Sequence, residues 1–340
     1  MPTRNKYLSA LYYLLIFAGL FTFFYIAHPL IIFNADDWYN ASYWRRPLPI
    51  IGGYNAIKVF PETFMPLVSE FGAFVIYPIL KDYLKALSFA YALALVFFIM
   101  LFIILLEKLL DHFTKDNRIA KAISFLTLIF CFLIYKNDWY QNTHLFCAQD
   151  VTCVFHYTIS ALLNLSLVLF FLTKEVVEKR NLSAELASGS LSFIYGGLLI
   201  LAVYLAVFSN MFNNIVLVTF SGVTVLTAII RGHRKSKAKE ILASCWLHFT
   251  ICCMFIFAII LQLMDRRNEE AANQGMVTGL FPAITNLIKQ VASINKMLIL
   301  VVGIIVIAAI GKILTSRKKE VSTATKKPVP RPAPPPKKYH

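Results

Sequence analysis

The sequence has few charged residues and lacks the motifs of nucleotide-binding and hydrolytic enzymes. Lys, Arg, Asp and Glu make up 15% of the 340 residues, whereas soluble domains contain about 25%. There is no glycine-rich phosphate loop, no serine-hydrolase elbow, no zinc motif and no regular ladder of charges within the apolar runs. These absences argue against an ordinary soluble domain, a primary pump and a voltage sensor.

Long hydrophobic runs are what the sequence has instead, and 58% of its residues are hydrophobic. Several runs approach or exceed the roughly 20 residues that a helix needs to cross the hydrocarbon core. They are longer than the alternating segments typical of a transmembrane barrel. We therefore predict an all-α, polytopic transmembrane bundle of about eight spans, at 7–33, 84–110, 122–136, 154–173, 190–210, 215–230, 241–264 and 297–315.

The distribution of basic residues predicts the orientation of this bundle. The net charge is +15, and most Lys and Arg residues fall in predicted inner segments such as 231–240 and the C-terminal tail. Because Lys and Arg mark cytoplasmic loops, both termini are expected in the cytoplasm, in a multi-pass protein of the inner (cytoplasmic) membrane. The basic segments have no interleaved aromatic residues, so they favour contact with anionic membrane lipids over a nucleic-acid partner.

One apolar segment, 64–80, resists assignment as a span because it contains Pro66, Glu70 and Pro78. We expect it to lie at the surface or to re-enter the bilayer. A full crossing would reverse the orientation of every later span.

Two regions are predicted along the chain. Residues 1–316 form the transmembrane helical domain, whose first outer loop, 34–83, is the largest. Residues 317–340 form a basic, proline-rich cytoplasmic tail that cannot build a core and is expected to be disordered. The tail either stays solvated near anionic lipid or binds a protein partner through its prolines.

Paired acids open the first outer loop in the stretch "NADDWYNASYWRRPLP". Asp36 and Asp37 are adjacent carboxylates that repel each other, and a bound cation or proton relieves that repulsion. The pair therefore suits a general base or the ligands of a divalent cation such as Mg²⁺ or Mn²⁺. The simpler interpretation is that both acids are solvated beside the end of a span.

Four further residues of this loop are candidates for substrate binding. Arg45 and Arg46 lie on a predicted outer loop, where basic residues are disfavoured, and their planar donors match phosphate oxygens. They could equally contact lipid headgroups. Glu62 and Glu70 are eight positions apart, on roughly the same face of a helix. Glu62 also suits the first turn of a helix opened by Pro61.

The second outer loop is predicted to form a polar rim opposite the first. His144 and Asp150 are its candidates for substrate binding, although solvated polar groups would have the same sequence. Cys147 and Cys153 flank the stretch "CAQDVTC" of this loop, and a disulfide between them is permitted outside the cytoplasm.

The first span, the paired acids and the element Arg46-Pro47-Leu48 together resemble the GT-C class of polytopic membrane glycosyltransferases. The closest similarity is to the bacterial O-antigen glucosyl transferases of the Gtr type, which act on lipopolysaccharide. That resemblance implies transfer of a sugar from a polyprenyl-phosphate carrier to a cell-envelope glycan on the outer face of the membrane. It implies that Asp36 or Asp37 is the catalytic base or a metal ligand and that Arg46 lies near the carrier phosphate.

Two alternatives remain open from the residues alone. One is a lipid-linked oligosaccharide flippase or another transporter, in which residues inside the bundle carry the function. The other is a non-catalytic membrane assembly protein, recruited through the proline-rich tail.

Overall fold

The computed structural model of the protein describes 2–32, 34–44, 56–133, 145–148, 150–232, 238–263 and scattered residues between 284 and 304. These residues form helices and contain no β-strand. The helices are α1 (Pro2–Thr22, extended by a π-helical turn, Phe23–Ala27), α2 (Ala35–Ser42), α3 (Val59–Leu80), α4 (Tyr83–Thr114), α5 (Asn117–Leu133), α6 (Val151–Val177), α7 (Leu182–Ala187), α8 (Phe193–Val207), α9 (Met211–Gly232) and α10 (Ala238–Leu263).

Six described helical segments are long and apolar enough to cross a membrane: Tyr7–Ala27, Val59–Leu80, Tyr83–Thr114, Val151–Val177, Met211–Arg231 and Glu240–Gln262. They confirm the all-α, multi-pass membrane class. The helices at two other predicted spans are short, with 17 residues in α5 and 15 in α8. The last predicted span, 297–315, lies mostly outside the described residues.

Aromatic contacts between helices define one end of the bundle. Phe89, near the start of α4, has its ring centroid 4.9 Å from that of Phe21 and 5.6 Å from that of Tyr25, near the end of α1. Phe132, at the end of α5, lies 5.4 Å from Phe23. We call this end, where the chain continues to Asp37, the Asp37 end.

At the opposite end, α1 and α5 meet again. Lys121, in the first turns of α5, places Nζ 2.5 Å from Oγ of Ser9 in α1. We call this the Lys121 end. The first helices therefore alternate in direction: α1 runs toward the Asp37 end, α4 runs away from it and α5 returns.

Helix α3 does not follow this alternation. Its first residues lie beside the middle of α4, where the rings of Phe60 and Phe64 are 5.8 and 5.7 Å from Phe98. Its last residues connect through Lys81 and Asp82 directly to Tyr83, at the Asp37 end. The segment predicted as the first outer loop therefore begins and ends at the same end of the bundle, although α3 is long enough to span.

The core is built from aromatic and branched side chains of the central helices. The largest fully buried side chains include Tyr91 in α4 and Phe155 and Phe171 in α6. Other large apolar side chains point outward, for example Phe193 in α8, which is 94% exposed. Apolar surface on this scale is expected for helices whose surroundings are hydrocarbon.

Candidate functional site

Helix α2 begins with a reciprocal cap. Asn34 Oδ1 accepts a hydrogen bond from the backbone N–H of Asp37 at 2.7 Å, and Asp37 Oδ2 accepts one from the N–H of Asn34 at 3.5 Å. This capping box satisfies backbone donors that a helix start leaves unpaired. It requires the Asp37 side chain to turn back toward Asn34, and Asp37 is completely buried.

The two predicted outer loops meet at the beginning of α6. Asp37 Oδ1 accepts from the N–H of Thr152 at 2.9 Å, and Asp150 Oδ1 accepts from the N–H of Cys153 at 2.8 Å. Asn34 Nδ2 also donates to Asp150 Oδ2 at 2.8 Å. The N-terminus of a helix carries partial positive charge. The start of α6 therefore offsets the repulsion between the carboxylates of Asp37 and Asp150.

Asp36 has a different environment from Asp37. Neighbouring residues of a helix diverge by about 100°, so Asp36 is exposed while Asp37 is buried. The two carboxylates therefore do not point toward a common position at which both could bind one cation. Within the described residues, no group of three or more His, Cys, Asp or Glu side chains could hold a metal ion. Ligation of Mg²⁺ or Mn²⁺ by the pair stays a prediction.

A buried carboxylate and a buried imidazole lie close together, one to two helical turns along α6 from its first residue. Glu62 Oε1 is 3.7 Å from His156 Nε2, and both residues are buried. His156 Nδ1 is 2.9 Å from the carbonyl oxygen of Thr152. Because a carbonyl oxygen only accepts, Nδ1 carries the proton and Nε2 faces Glu62. Glu62 was a predicted binding residue, but its pairing with His156 was not predicted from the sequence.

Glu70 forms a hydrogen bond within the predicted first outer loop. Its Oε1 accepts a hydrogen bond from Trp44 Nε1 at 2.6 Å, and its side chain is exposed. The bond holds the end of the α2 segment beside α3. The two predicted arginines follow Trp44 directly, but Arg45 and Arg46 lie outside the described residues, as does His144.

The cysteines of the second loop are not bonded to each other. Cys147 and Cys153 are both free thiols. Burial raises the pKa of the Cys147 thiol, which keeps it protonated at neutral pH. The backbone carbonyl of Cys147 lies 3.1 Å from Nε2 of His28 at the end of α1, so this loop is tied to α1 by a hydrogen bond.

A second polar cluster lies toward the far end of α6, where α6, α9 and α10 meet. His248 Nε2 is 2.7 Å from Glu175 Oε2, and His248 Nδ1 is 3.1 Å from Ser221 Oγ. The imidazole is buried and packs against the rings of Phe171 and Phe220. The contact between His248 and Glu175 was not predicted from the sequence.

Comparison with known proteins finds no match to a family model, to a curated protein or to a solved structure.

Proposed function

We propose that the chain is an integral membrane glycosyltransferase that moves a sugar from a polyprenyl-phosphate carrier to a cell-envelope glycan. The observation that carries the proposal is that the two paired acids have different environments. Asp37 is buried and fastens α2 to the start of α6, while Asp36 on the same short helix is exposed. An exposed carboxylate on a fixed support suits a general base. The resemblance of the first loop to GT-C enzymes supplies the substrate class.

The topology we propose has about eight crossings with both termini in the cytoplasm. The Asp37 end then faces away from the cytoplasm, and α3 enters the bilayer and returns to the same face. This arrangement brings the acids of the first outer loop to the outer surface of the inner membrane, where lipid-linked sugars are presented.

The proposed reaction is a single displacement at the anomeric carbon. The Asp36 carboxylate takes the proton of the acceptor hydroxyl. At the same time, the oxygen of that hydroxyl forms a bond to the anomeric carbon. The bond between the anomeric carbon and the phosphate oxygen breaks, and the phosphate leaves with the electron pair. Arg45 and Arg46 would stabilise the charge on the phosphate. One displacement inverts the configuration of the sugar.

The remaining predicted residues have supporting roles in this proposal. The contact between Trp44 and Glu70 holds the end of the α2 segment, which directly precedes the predicted phosphate ligands in the sequence, beside α3. Asp150 keeps the first turn of α6 and the α2 cap together. A divalent cation at Asp36, and contact of His144 with the sugar, remain predictions from the sequence.

The test compares cell-envelope glycans by mass spectrometry in cells that lack the chain or carry the wild type, Asp36→Asn or Asp82→Asn. Removing a general base lowers a rate by about 10² to 10⁴-fold, so Asp36→Asn should lose one hexose-sized mass, as the deletion does. Asp82 is the control because it is partly exposed at the same end of the bundle. It caps α4, a role that Asn fills equally well.

Membrane levels of each variant are measured by immunoblot in the same cells. An unchanged glycan profile in the deletion would exclude this activity for the glycans analysed. Retention of the hexose by Asp36→Asn at normal protein level would remove Asp36 from the proposed mechanism.

Transport is the second candidate, and the buried cluster of Glu175, Ser221 and His248 favours it. Ionisable side chains within membrane helices are costly and commonly mark substrate or proton pathways. In the same cells, transport predicts that Asp36→Asn is tolerated while His248→Gln abolishes the glycan modification.

A further inference from the structure

A groove runs along the outside of the bundle between α1 and α5. It has a volume of about 500 Å³ and is lined almost entirely by apolar side chains, among them Leu20, Phe125, Ile129 and Phe132. Gly19 widens it, since a side chain there would meet no atom within 4 Å. An apolar groove on the surface of membrane helices matches the chemistry of a hydrocarbon chain.

A lysine lies where the groove reaches the Lys121 end. The ammonium of Lys121 is 2.5 Å from Ser9 Oγ. It lies 5.4 Å from the ring centroid of Tyr12, which lines the groove, and 5.5 Å from that of Tyr13. Among the described residues, no carboxylate lies within the 4.0 Å that defines an ion pair with Lys121. The groove therefore ends at an ammonium that contacts a hydroxyl and two rings, and the carboxylate of buried Glu107 on this side is hydrogen-bonded to Tyr13.

A ligand of Lys121 and the proposed sugar carrier would have their headgroups at different membrane surfaces. Ser9 precedes Ala27 on α1 by about five helical turns, or about 27 Å of helix axis. That length is close to the roughly 30 Å thickness of the hydrocarbon core. A lipid phosphate beside Lys121 therefore lies at the opposite membrane surface from Asp36.

We propose that this groove binds one anionic glycerophospholipid. Its phosphate contacts Lys121 and the Ser9 hydroxyl, and one acyl chain follows the groove past Gly19 toward Phe132. The charge of Lys121 selects an anionic headgroup, and the open space at Gly19 accommodates the chain. This site is independent of the proposed glycosyl transfer, because its headgroup and the acids of the first outer loop are at opposite ends of the bundle.

The first test measures lipid binding to the purified full-length chain by native mass spectrometry. Phosphatidylglycerol is compared with phosphatidylcholine of the same acyl chains, for the wild type and for Lys121→Gln. A lysine near the membrane surface contributes enough affinity for an anionic lipid that its loss should weaken phosphatidylglycerol binding about fivefold. Lys108→Gln is the matched control, since Lys108 is exposed near the same end of α4 and should change binding little.

The second test fills the groove without touching the charge. Gly19→Phe places an aromatic ring in the open space and should displace the acyl chain, so that phosphatidylglycerol no longer binds as a single retained molecule. Gly197→Phe in α8 is its control, since Gly197 also has nothing within 4 Å of an added side chain. Circular dichroism and gel filtration verify that each variant is folded, and Lys121→Arg should preserve binding.

Four results would overturn the proposal. They are equal retention of phosphatidylcholine and phosphatidylglycerol, equal losses in Lys121→Gln and Lys108→Gln, unchanged binding in Gly19→Phe, and tighter binding of a polyprenyl phosphate than of phosphatidylglycerol. Inorganic phosphate is added as a competitor. Displacement of the lipid by phosphate at equal molar concentration would be a fifth such result, because the site would then recognise phosphate alone and the acyl chain would have no role.

Discussion

At the scale of single residues, Asp37 connects segments that are far apart in sequence. Its carboxylate accepts from the N–H of Thr152, 115 positions away, and also closes the cap of α2. Asp36 makes neither contact and is exposed. Two adjacent and chemically identical residues should therefore respond very differently to the same substitution.

We expect Asp37→Ala to lower the free energy of unfolding by about 1 to 3 kcal/mol, because it leaves buried backbone donors unpaired. Asp37→Asn should lose less, since its amide oxygen can still accept from Thr152. Asp36→Ala should stay within about 0.5 kcal/mol of the wild type, as exposed substitutions usually do. Denaturant titration of the purified protein in detergent measures all three, and equal losses at the two positions would contradict the capping role of Asp37.

At the scale of helices, α3 and α4 form a close antiparallel pair that depends on a glycine. A side chain at Gly72 would meet the carbonyl oxygen of Ala86 at 3.1 Å, Cδ2 of Leu87 at 3.1 Å and Cβ of Ala90 at 3.2 Å. The first of these is backbone and cannot rotate away. The pairing therefore fixes α3 against α4 along the segment that returns to the Asp37 end.

Gly72→Val should cost about 1 to 3 kcal/mol through overpacking. Gly222→Val is the comparison, because Gly222 is also within a helix and has nothing within 4 Å of an added side chain. The two substitutions share the same change in helix propensity, so their difference in thermal unfolding isolates the contact with α4. Equal midpoints would contradict the close contact of α3 with α4 at Gly72.

The sequence was most informative about helices and least informative about contacts between them. Hydrophobic length predicted α4, α6 and α10 well, because membrane helices must satisfy their own backbone. It could not decide the path of α3, since a span and a returning segment share one composition. Likewise, Asp37 and Glu62 were predicted as site residues, but their partners Thr152 and His156 depend on how the loops pack.

At the scale of the whole molecule, polar groups are concentrated where the first two predicted outer loops join α6. Asn34, Asp37 and Asp150 link those loops at the Asp37 end, and Glu62 with His156 lies just below. The cluster of Glu175, Ser221 and His248 lies further along α6. The orientation of the bundle therefore decides which membrane surface each cluster lies nearer to.

Labelling of introduced cysteines tests that orientation. Lys81 and Lys115 are a matched pair, because each is an exposed lysine that ends its helix in a left-handed conformation, with φ of 57° and 54°. If α3 returns to the Asp37 end and α4 crosses the membrane, Lys81→Cys should react with an impermeant maleimide in intact cells, as Ala35→Cys does. Lys115→Cys should react only after permeabilisation.

The experiment needs a background in which the six native cysteines are replaced by serine or alanine. The described cysteines are free thiols, so this replacement removes no cross-link among them. Reaction of Ala35→Cys and Lys81→Cys from opposite sides would make α3 a complete span and reverse every later helix. Reaction of Lys115→Cys from outside and of the other two only after permeabilisation would place Asp36 in the cytoplasm, where it could not modify an outer-face glycan.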